Sequence, residues 1–386
     1  LKILVALTYY RPHTSGLTIY AERLARGLAN RGHEVTVMTS RFDRSTPLEE
    51  VVEGVRIVRI PVAFRISKGV IMPTIGFVAW RLVAENDIVC LHLPQFDAAG
   101  IAIRGRLLNK PTTLTYHCDL KLPFGPFSAM VNRVVDAANY VAGVFADRVV
   151  AYTKDFATHS PYLSRFNDKV EIIPPPVELP RASDAEVRAF ARRYELEGDE
   201  PVIGIAARLA AEKGVEVLLN ALPRVMEQYP TARVLFAGQY QDVMGEEAYA
   251  QRLAPLFDKY RDRWTFLGVL TPQEMAAFYP NLDVIVVPSL NSTESFGLVQ
   301  VEAMLCGTPS IASALPGVRQ PVIQSGMGEV VPIGDSTGLA DAIIKIARDK
   351  ASYVYPPEEI AGRWNTARTA EAYEALFERL MKLKRS

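Results

Sequence analysis

The sequence is poor in cysteine, and the cysteines it has are scattered. Cys90, Cys118 and Cys306 are odd in number, far apart and without CxxC spacing. Neither a disulfide framework nor a cysteine zinc site is expected, and a reducing cytoplasm fits best. No run approaches the ~18 apolar residues of a spanning helix; the stretch 70–80 is short and carries Pro73. The opening residues lack the charged-then-apolar pattern of a secretory leader. Neither sign of charge is in excess, since 43 Lys and Arg face 43 Asp and Glu. Nothing global therefore points to nucleic acid. Three chemical signatures are missing as well. There is no GxxxxGK followed by Ser or Thr, so no P-loop, and no GxGxxG, which argues against a dinucleotide-linked dehydrogenase. There is also no Asp-x-Asp, the carboxylate pair with which many sugar-nucleotide enzymes hold Mg²⁺ or Mn²⁺. No metal is expected.

What is present is ordinary in bulk and ordered in pattern. The chain has 386 residues, enough for two domains, and its hydrophobic (49%) and charged (22%) fractions are those of a soluble globular protein. Apolar, strand-like runs fall at 2–8, 35–39, 55–60, 88–92, 112–115, 148–152 and 170–173. Helical patterns separate several of them: Leu17, Ala21, Leu24 and Leu28 recur at helical spacing, and 127–146 is the clearest case. Pro174, Pro175 and Pro176 then stiffen the chain before a charged segment that runs to Glu200. Strand-like runs restart at 202–206, 233–236, 264–267, 282–287 and 309–312, again with helical patterns between. Alternation of this kind predicts parallel sheets covered on both faces. The fold class is α/β, with two doubly wound Rossmann-like units, 1–176 and 177–365. The closing stretch 367–384 is amphipathic through Ala370, Tyr373, Leu376, Phe377 and Leu380.

The densest chemistry lies at 288–309, PSLNSTESFGLVQVEAMLCGTP. A strand ends at Val287, a polar loop follows, and a helix begins near Gly297. The first N–H groups of a helix lack internal partners and sit at the positive end of its dipole. Gly297 has no side chain, so an anion can approach the amides of Gly297, Leu298 and Val299, beside Phe296. Glu302, five residues on, is roughly 7–8 Å along the axis, about the distance from a diphosphate to its ribose. Its carboxylate can accept hydrogen bonds from both ribose hydroxyls. Glu294 precedes the helix, where a transferred sugar would lie. The plain alternative is a surface helix with two solvated glutamates. A second group, Ala206 to Gly214 (AARLAAEKG), also follows a strand. Arg208 and Lys213 are spaced to neutralise a diphosphate, the first as a fork, the second as a point charge. Solvated cations near a helix start are the alternative.

The first half says less. Ser15-Gly16-Leu17 opens the first helix, either as a turn or as a backbone N–H offered to phosphate. His117 and Asp119 follow a strand, and His117 reads as a hydrogen-bond donor to a sugar hydroxyl or as a packed core histidine. Arg65, Lys68 and Arg81 flank Val70, Ile71, Phe77, Val78 and Trp80, and an apolar loop spans 122–127. These residues suit either peripheral contact with an anionic bilayer or a buried helix with a packed loop.

On these motifs the sequence resembles the retaining GT-B glycosyltransferases of family 4, over nearly the whole chain. The most specific match is the family's E-x7-E motif, here Glu294 to Glu302 within ESFGLVQVEAMLCGTP. The resemblance implies that Arg208 and Lys213 hold the donor diphosphate and that Phe266-Leu267-Gly268-Val269 contacts the base through backbone. Gly16 matches the phosphate-approach loop, where the family more often has Gly-Gly, and His117 matches the strand-end histidine. IPPPV at 173–177 departs from the family's usual IPNG. The implied enzyme moves a hexosyl group from a UDP- or GDP-sugar to a glycan or lipid-linked acceptor, with no metal or cofactor. The second unit binds the nucleotide sugar and the first the acceptor, with helix 366–386 returning to the first unit. A sugar-nucleotide epimerase on a similar fold and a catalytically silent nucleotide-sugar-binding subunit are the alternatives.

Overall fold

The computed structural model describes residues 1–66, 69–119, 126–196, 198 and 200–385. Lys68 and the loop residues 122–125 lie outside the described residues. The chain divides into two compact units, Leu1–Val177 with Trp364–Ser386, and Glu178–Arg363.

The first unit carries strands β1 (Lys2–Ala6), β2 (Glu34–Arg41), β3 (Glu49–Val52), β4 (Val55–Pro61), β5 (Phe64–Ile66), β6 (Gly69–Ile71), β7 (Ile88–Leu93), β8 (Thr112–Tyr116), β9 (Arg148–Ala151) and β10 (Val170–Ile172). Eight of them form one sheet in the order β10-β9-β8-β7-β1-β2-β4-β3. It is parallel apart from β3, which pairs antiparallel with β4 at the edge. The apolar runs become strands because helices cover both faces: Ile3, Leu4, Val5 and Ala6 are all fully buried. β3 (EEVV) is mostly exposed, and its charges blunt an open edge. β5 and β6 form a separate antiparallel hairpin.

The second unit carries β11 (Val202–Ala206), β12 (Arg233–Ala237), β13 (Trp264–Gly268), β14 (Val284–Val287), β15 (Ser310–Ser313) and β16 (Gly328–Val331). Their order is β13-β12-β11-β14-β15-β16, all parallel. This is the doubly wound order in which strand succession reverses at the middle of the sheet, here between β11 and β14.

The closing helix, Thr366–Arg385, packs on Gly16–Asn30 within the first unit. Ala370, Tyr373, Leu376, Phe377 and Leu380 are buried, the five positions its spacing marked. Each large one contributes about 1.5–3 kcal/mol relative to exposure. The Tyr373 hydroxyl lies 2.8 Å from that of Tyr20 and 2.7 Å from Thr115 Oγ1. Thr369 Oγ1 donates to the Pro174 carbonyl at 2.9 Å, so the triple proline is tied to this helix.

Candidate active site

Two loops leave the reversal point of the second sheet: 207–214 after β11 and 288–297 after β14. Open α/β sheets bind ligands at this place because the chain departs to opposite faces and leaves a crevice. The loops are held against each other. The Leu290 N–H donates to the Glu212 carbonyl at 2.9 Å. Gly214 has φ +65°, and a Cβ there would stand 2.1 Å from the Pro288 carbonyl oxygen. Only glycine permits that approach.

Side chains from further along the sequence support each loop. The Ala211 N–H donates to buried Glu246 Oε2 at 3.0 Å, and the Val215 N–H donates to the Tyr249 hydroxyl oxygen at 3.1 Å. Tyr249 donates in turn to Glu216. Gln300, fully buried, donates to the carbonyls of Phe296 (2.8 Å) and Val318 (2.9 Å) and accepts from Ser310 Oγ at 3.1 Å. It pins the entry to the helix Leu298–Leu305. None of Glu246, Tyr249 and Gln300 stood out in the sequence, because their partners are set by tertiary contact.

The charged residues meet on this support. Lys213 Nζ donates to Glu294 Oε2 at 2.6 Å, with each side chain 20% exposed. Glu294 Oε1 accepts the Gly297 N–H at 3.0 Å. Burial raises the Glu294 pKa, but the Lys213 ammonium, the hydrogen bond to it and the amides of Gly297 and Phe296 outweigh burial. The carboxyl is held below its usual range. Arg208 Nη2 donates to Glu212 Oε1 at 3.3 Å and keeps a partly exposed guanidinium. The helix Leu298–Leu305 has Gly297 at its N-cap with φ +78° and no side-chain cap. Of the three amides expected to meet an anion, the Gly297 N–H is engaged here by the protein's own Glu294 carboxylate.

Glu302 lies on the same helix but is only 6% exposed, and the Tyr279 hydroxyl donates to its Oε2 at 2.8 Å. Tyr279, missed in the sequence, therefore orients this carboxylate. Phe296, in the second loop, is buried, whereas Val269, one residue past β13, is 65% exposed.

In the first unit, Gly16 begins the helix Gly16–Asn30, and Ser15 caps it by accepting the Thr18 N–H at 3.2 Å. A Cβ at Gly16 would meet nothing within 4 Å. Local packing does not demand this glycine, and its backbone is exposed. Of the two readings of His117, the packed one describes its surroundings within the first unit. The residue is 6% exposed; its Nε2 faces His92 Nδ1 at 2.8 Å and its Nδ1 faces the Tyr152 hydroxyl. Burial holds His92 down at about 3, and burial plus His92 hold His117 well below the ordinary histidine value. Both rings are neutral at pH 7, and both nitrogens of His117 are engaged inside the unit. It is built as a core histidine. Asp119 accepts from the Tyr116 hydroxyl at 3.0 Å and from Ser160 Oγ at 2.7 Å.

The apolar residues of the first unit divide. Val70 is buried, while Phe64, Phe77 (77% exposed) and Trp80 face solvent. Among the described cations of this flank, Arg81 lies 3.8 Å from both Glu49 and Glu85, and Arg65 donates to the Phe42 carbonyl at 2.5 Å while keeping its charge. Among the described residues, no helix is long and apolar enough to cross a membrane, and no three His, Cys, Asp or Glu side chains group to hold a metal ion.

The second unit is a doubly wound α/β domain with two charged loops at its sheet reversal, where such folds bind ligands, and comparison with known proteins narrows its class. Residues 14–181 match the family described as Glycosyltransferase Family 4, and residues 200–349 match Glycosyl transferases group 1. A D-inositol 3-phosphate glycosyltransferase of Xylanimonas cellulosilytica is 30% identical over 86% of this chain and 84% of its own. A phosphatidyl-myo-inositol mannosyltransferase of Mycobacterium leprae is 26% identical over 94% of this chain and 92% of its own. Among solved structures, Anabaena HepE in complex with UDP superposes with a TM-score of 0.77 at 18% identity, covering 98% of this chain and 100% of that one. The chain belongs to the family 4 glycosyltransferases, has the GT-B fold, and is a glycosyl-transferring enzyme.

Proposed function

We propose that this enzyme is a retaining, metal-independent hexosyltransferase that uses a UDP- or GDP-sugar and a glycan or lipid-linked acceptor. The observation that carries the reading is the contact of Lys213, Glu294 and the Gly297 amide at the sheet reversal. A carboxylate resting on an ammonium and a helix amide marks a place built for an anion. A donor diphosphate brings that anion. Lys213, Arg208 and the Leu298 and Val299 amides then stabilise the charge that grows on the leaving group. Glu294, released from Lys213, holds the sugar hydroxyls, and Glu302, oriented by Tyr279, holds the ribose. No protein nucleophile is assigned, and attack comes from the leaving-group face. The donor site belongs to the second unit and the acceptor pocket to the first. The names of the relatives favour acceptors that are cyclitol derivatives or lipid-linked, and HepE was solved with UDP. Phe64, Phe77 and Trp80 are proposed to rest on a bilayer, which suits a cytoplasmic enzyme with peripheral membrane contact.

The test is release of nucleoside diphosphate from a panel of nucleotide sugars, with and without acceptor. Turnover is expected to persist in excess EDTA; complete loss restored by Mn²⁺ overturns metal independence. Lys213→Ala is expected to lower kcat about 10²–10³-fold, the scale of one lost transition-state charge stabiliser. Near-normal turnover in that variant would remove Lys213 from the mechanism. Conversion of the donor sugar without diphosphate release would mark an epimerase.

A further inference from the structure

The first unit has its own sheet reversal, between β1 and β7, since β2 lies beyond the one and β8 beyond the other. The loop 94–97 leaves β7 at that point and leads into the helix Ala98–Leu107. Two of its side chains are unspent. Gln95 is 4% exposed; Asn139 Oδ1 accepts its backbone N–H at 3.4 Å, but its buried side-chain Oε1 has no partner among the described residues. Asp97 occupies the N-cap position of the helix, yet its backbone is already helical (φ −78°, ψ −5°) and its side chain caps no N–H. Among the described residues no salt bridge or hydrogen bond involves its carboxylate.

Leaving a half-buried carboxylate and a buried amide oxygen without donors is costly, and folded proteins seldom tolerate it without a reason. Burial alone pushes the Asp97 carboxyl up to about 6, with no ionised neighbour contributing. Asp97 when ionised can only accept hydrogen bonds, whereas the Gln95 amide can do both. Placed where an α/β sheet takes its ligand, they ask for a ligand rich in O–H or N–H donors. A phosphate would meet a like charge there.

We propose that Asp97 and Gln95 form the acceptor-recognition subsite, and that it selects a ring bearing hydroxyl or ammonium donors over one phosphorylated at the point of contact. This rests on the transferase reading and names the acceptor class for it. Asp97 touches the acceptor and fixes its orientation; it takes no part in donor cleavage.

The experiment compares three acceptors on the full chain: an aminocyclitol, neutral inositol and an inositol monophosphate. Slow hydrolysis of the donor without acceptor is followed in parallel. The wild type is expected to favour the amino or neutral ring over the phosphate at least tenfold in kcat/KM. Asp97→Asn is expected to lose about 10- to 100-fold on the favoured rings, the scale of one hydrogen bond to a charged group. Its donor hydrolysis is expected to stay within about twofold, as befits a residue outside the donor site. Wild-type kcat/KM for the acceptor should rise with pH through about 6, as Asp97 ionises, and Asp97→Asn should be flat there. Gln95→Leu should raise the acceptor KM with little change in kcat. Equal transfer by Asp97→Asn, an unchanged pH profile, preference for the phosphorylated ring or no transfer to any of the three overturns the proposal. Absence of donor hydrolysis in the wild type would instead refute the donor-site reading.

Discussion

Lys213 and Glu294 stand 2.6 Å apart, and the same carboxylate holds the Gly297 amide. In the proposed donor site, a diphosphate would displace this internal carboxylate to reach either group. On that proposal Glu294 competes for the phosphate place and, once displaced, holds the sugar. Glu294→Gln is expected to bind free nucleoside diphosphate about tenfold more tightly, the scale of one charge-assisted hydrogen bond (~1.5 kcal/mol). The same variant is expected to lose most of its transfer. Titration calorimetry decides, and unchanged or weaker binding would mean that the ion pair does not compete. Residue types and spacing made this group legible: Arg208, Lys213, Glu294 and Glu302 all sit in strand-end loops or on the helix that follows one. Their pairing was not legible, because Lys213 and Glu294 belong to loops of non-consecutive strands. His117 shows the limit. Its position after β8 matched the family pattern, but the His92 and Tyr152 partners that enclose it come from β7 and from the end of β9.

The element proposed to hold the donor is a pair of loops, and they approach tightly at Gly214. With φ +65° and a Cβ that would overlap the Pro288 carbonyl, Gly214→Ala must shift one loop against the other. A strained backbone position costs about 1–3 kcal/mol. At roughly 2–4 °C per kcal/mol for a unit of this size, the melting temperature is expected to fall by about 2–12 °C. Turnover should fall with it. An unchanged Tm in differential scanning calorimetry would show that the loops do not need this contact. Elements were legible where burial is complete. The strands β1, β7, β11 and β14 are continuous apolar runs because helices cover both of their faces. The exposed edge strand β3, the short hairpin β5–β6 and the half-buried β16 escaped that pattern, since hydrogen bonding to a neighbour rather than burial defines them.

Across the whole molecule, 43 positive and 43 negative side chains cancel, so attraction to an anionic surface has to come from a local patch. Of the described cations in the first unit's apolar region, Arg81 is paired with Glu49 and Glu85, whereas Arg65, on the Phe42 carbonyl, keeps its charge. Among the described residues, the apolar part of the proposed bilayer contact is Phe64, Phe77 and Trp80. Co-sedimentation with anionic vesicles at low salt is expected, and the double substitution Phe77→Ser with Trp80→Ser should weaken it by about tenfold or more. Equal sedimentation of that variant, or none of the wild type, would remove the membrane contact.

Period and composition alone determined two doubly wound units, the proline-marked change between them, the amphipathic closing helix and the strand-end loops that carry charge. Each of these follows from local rules: apolar runs where both faces are covered, apolar spacing where one face is, and glycine or proline where the chain turns. Tertiary structure alone decided which loops touch, that Glu294 rests on Lys213, that Tyr279 holds Glu302, that His117 is enclosed, and that, among the described residues, the Asp97 carboxylate and the Gln95 side-chain oxygen have no partner. Those outcomes depend on strand order and on side chains brought together from distant parts of the chain, and one-dimensional spacing carries no record of such distances.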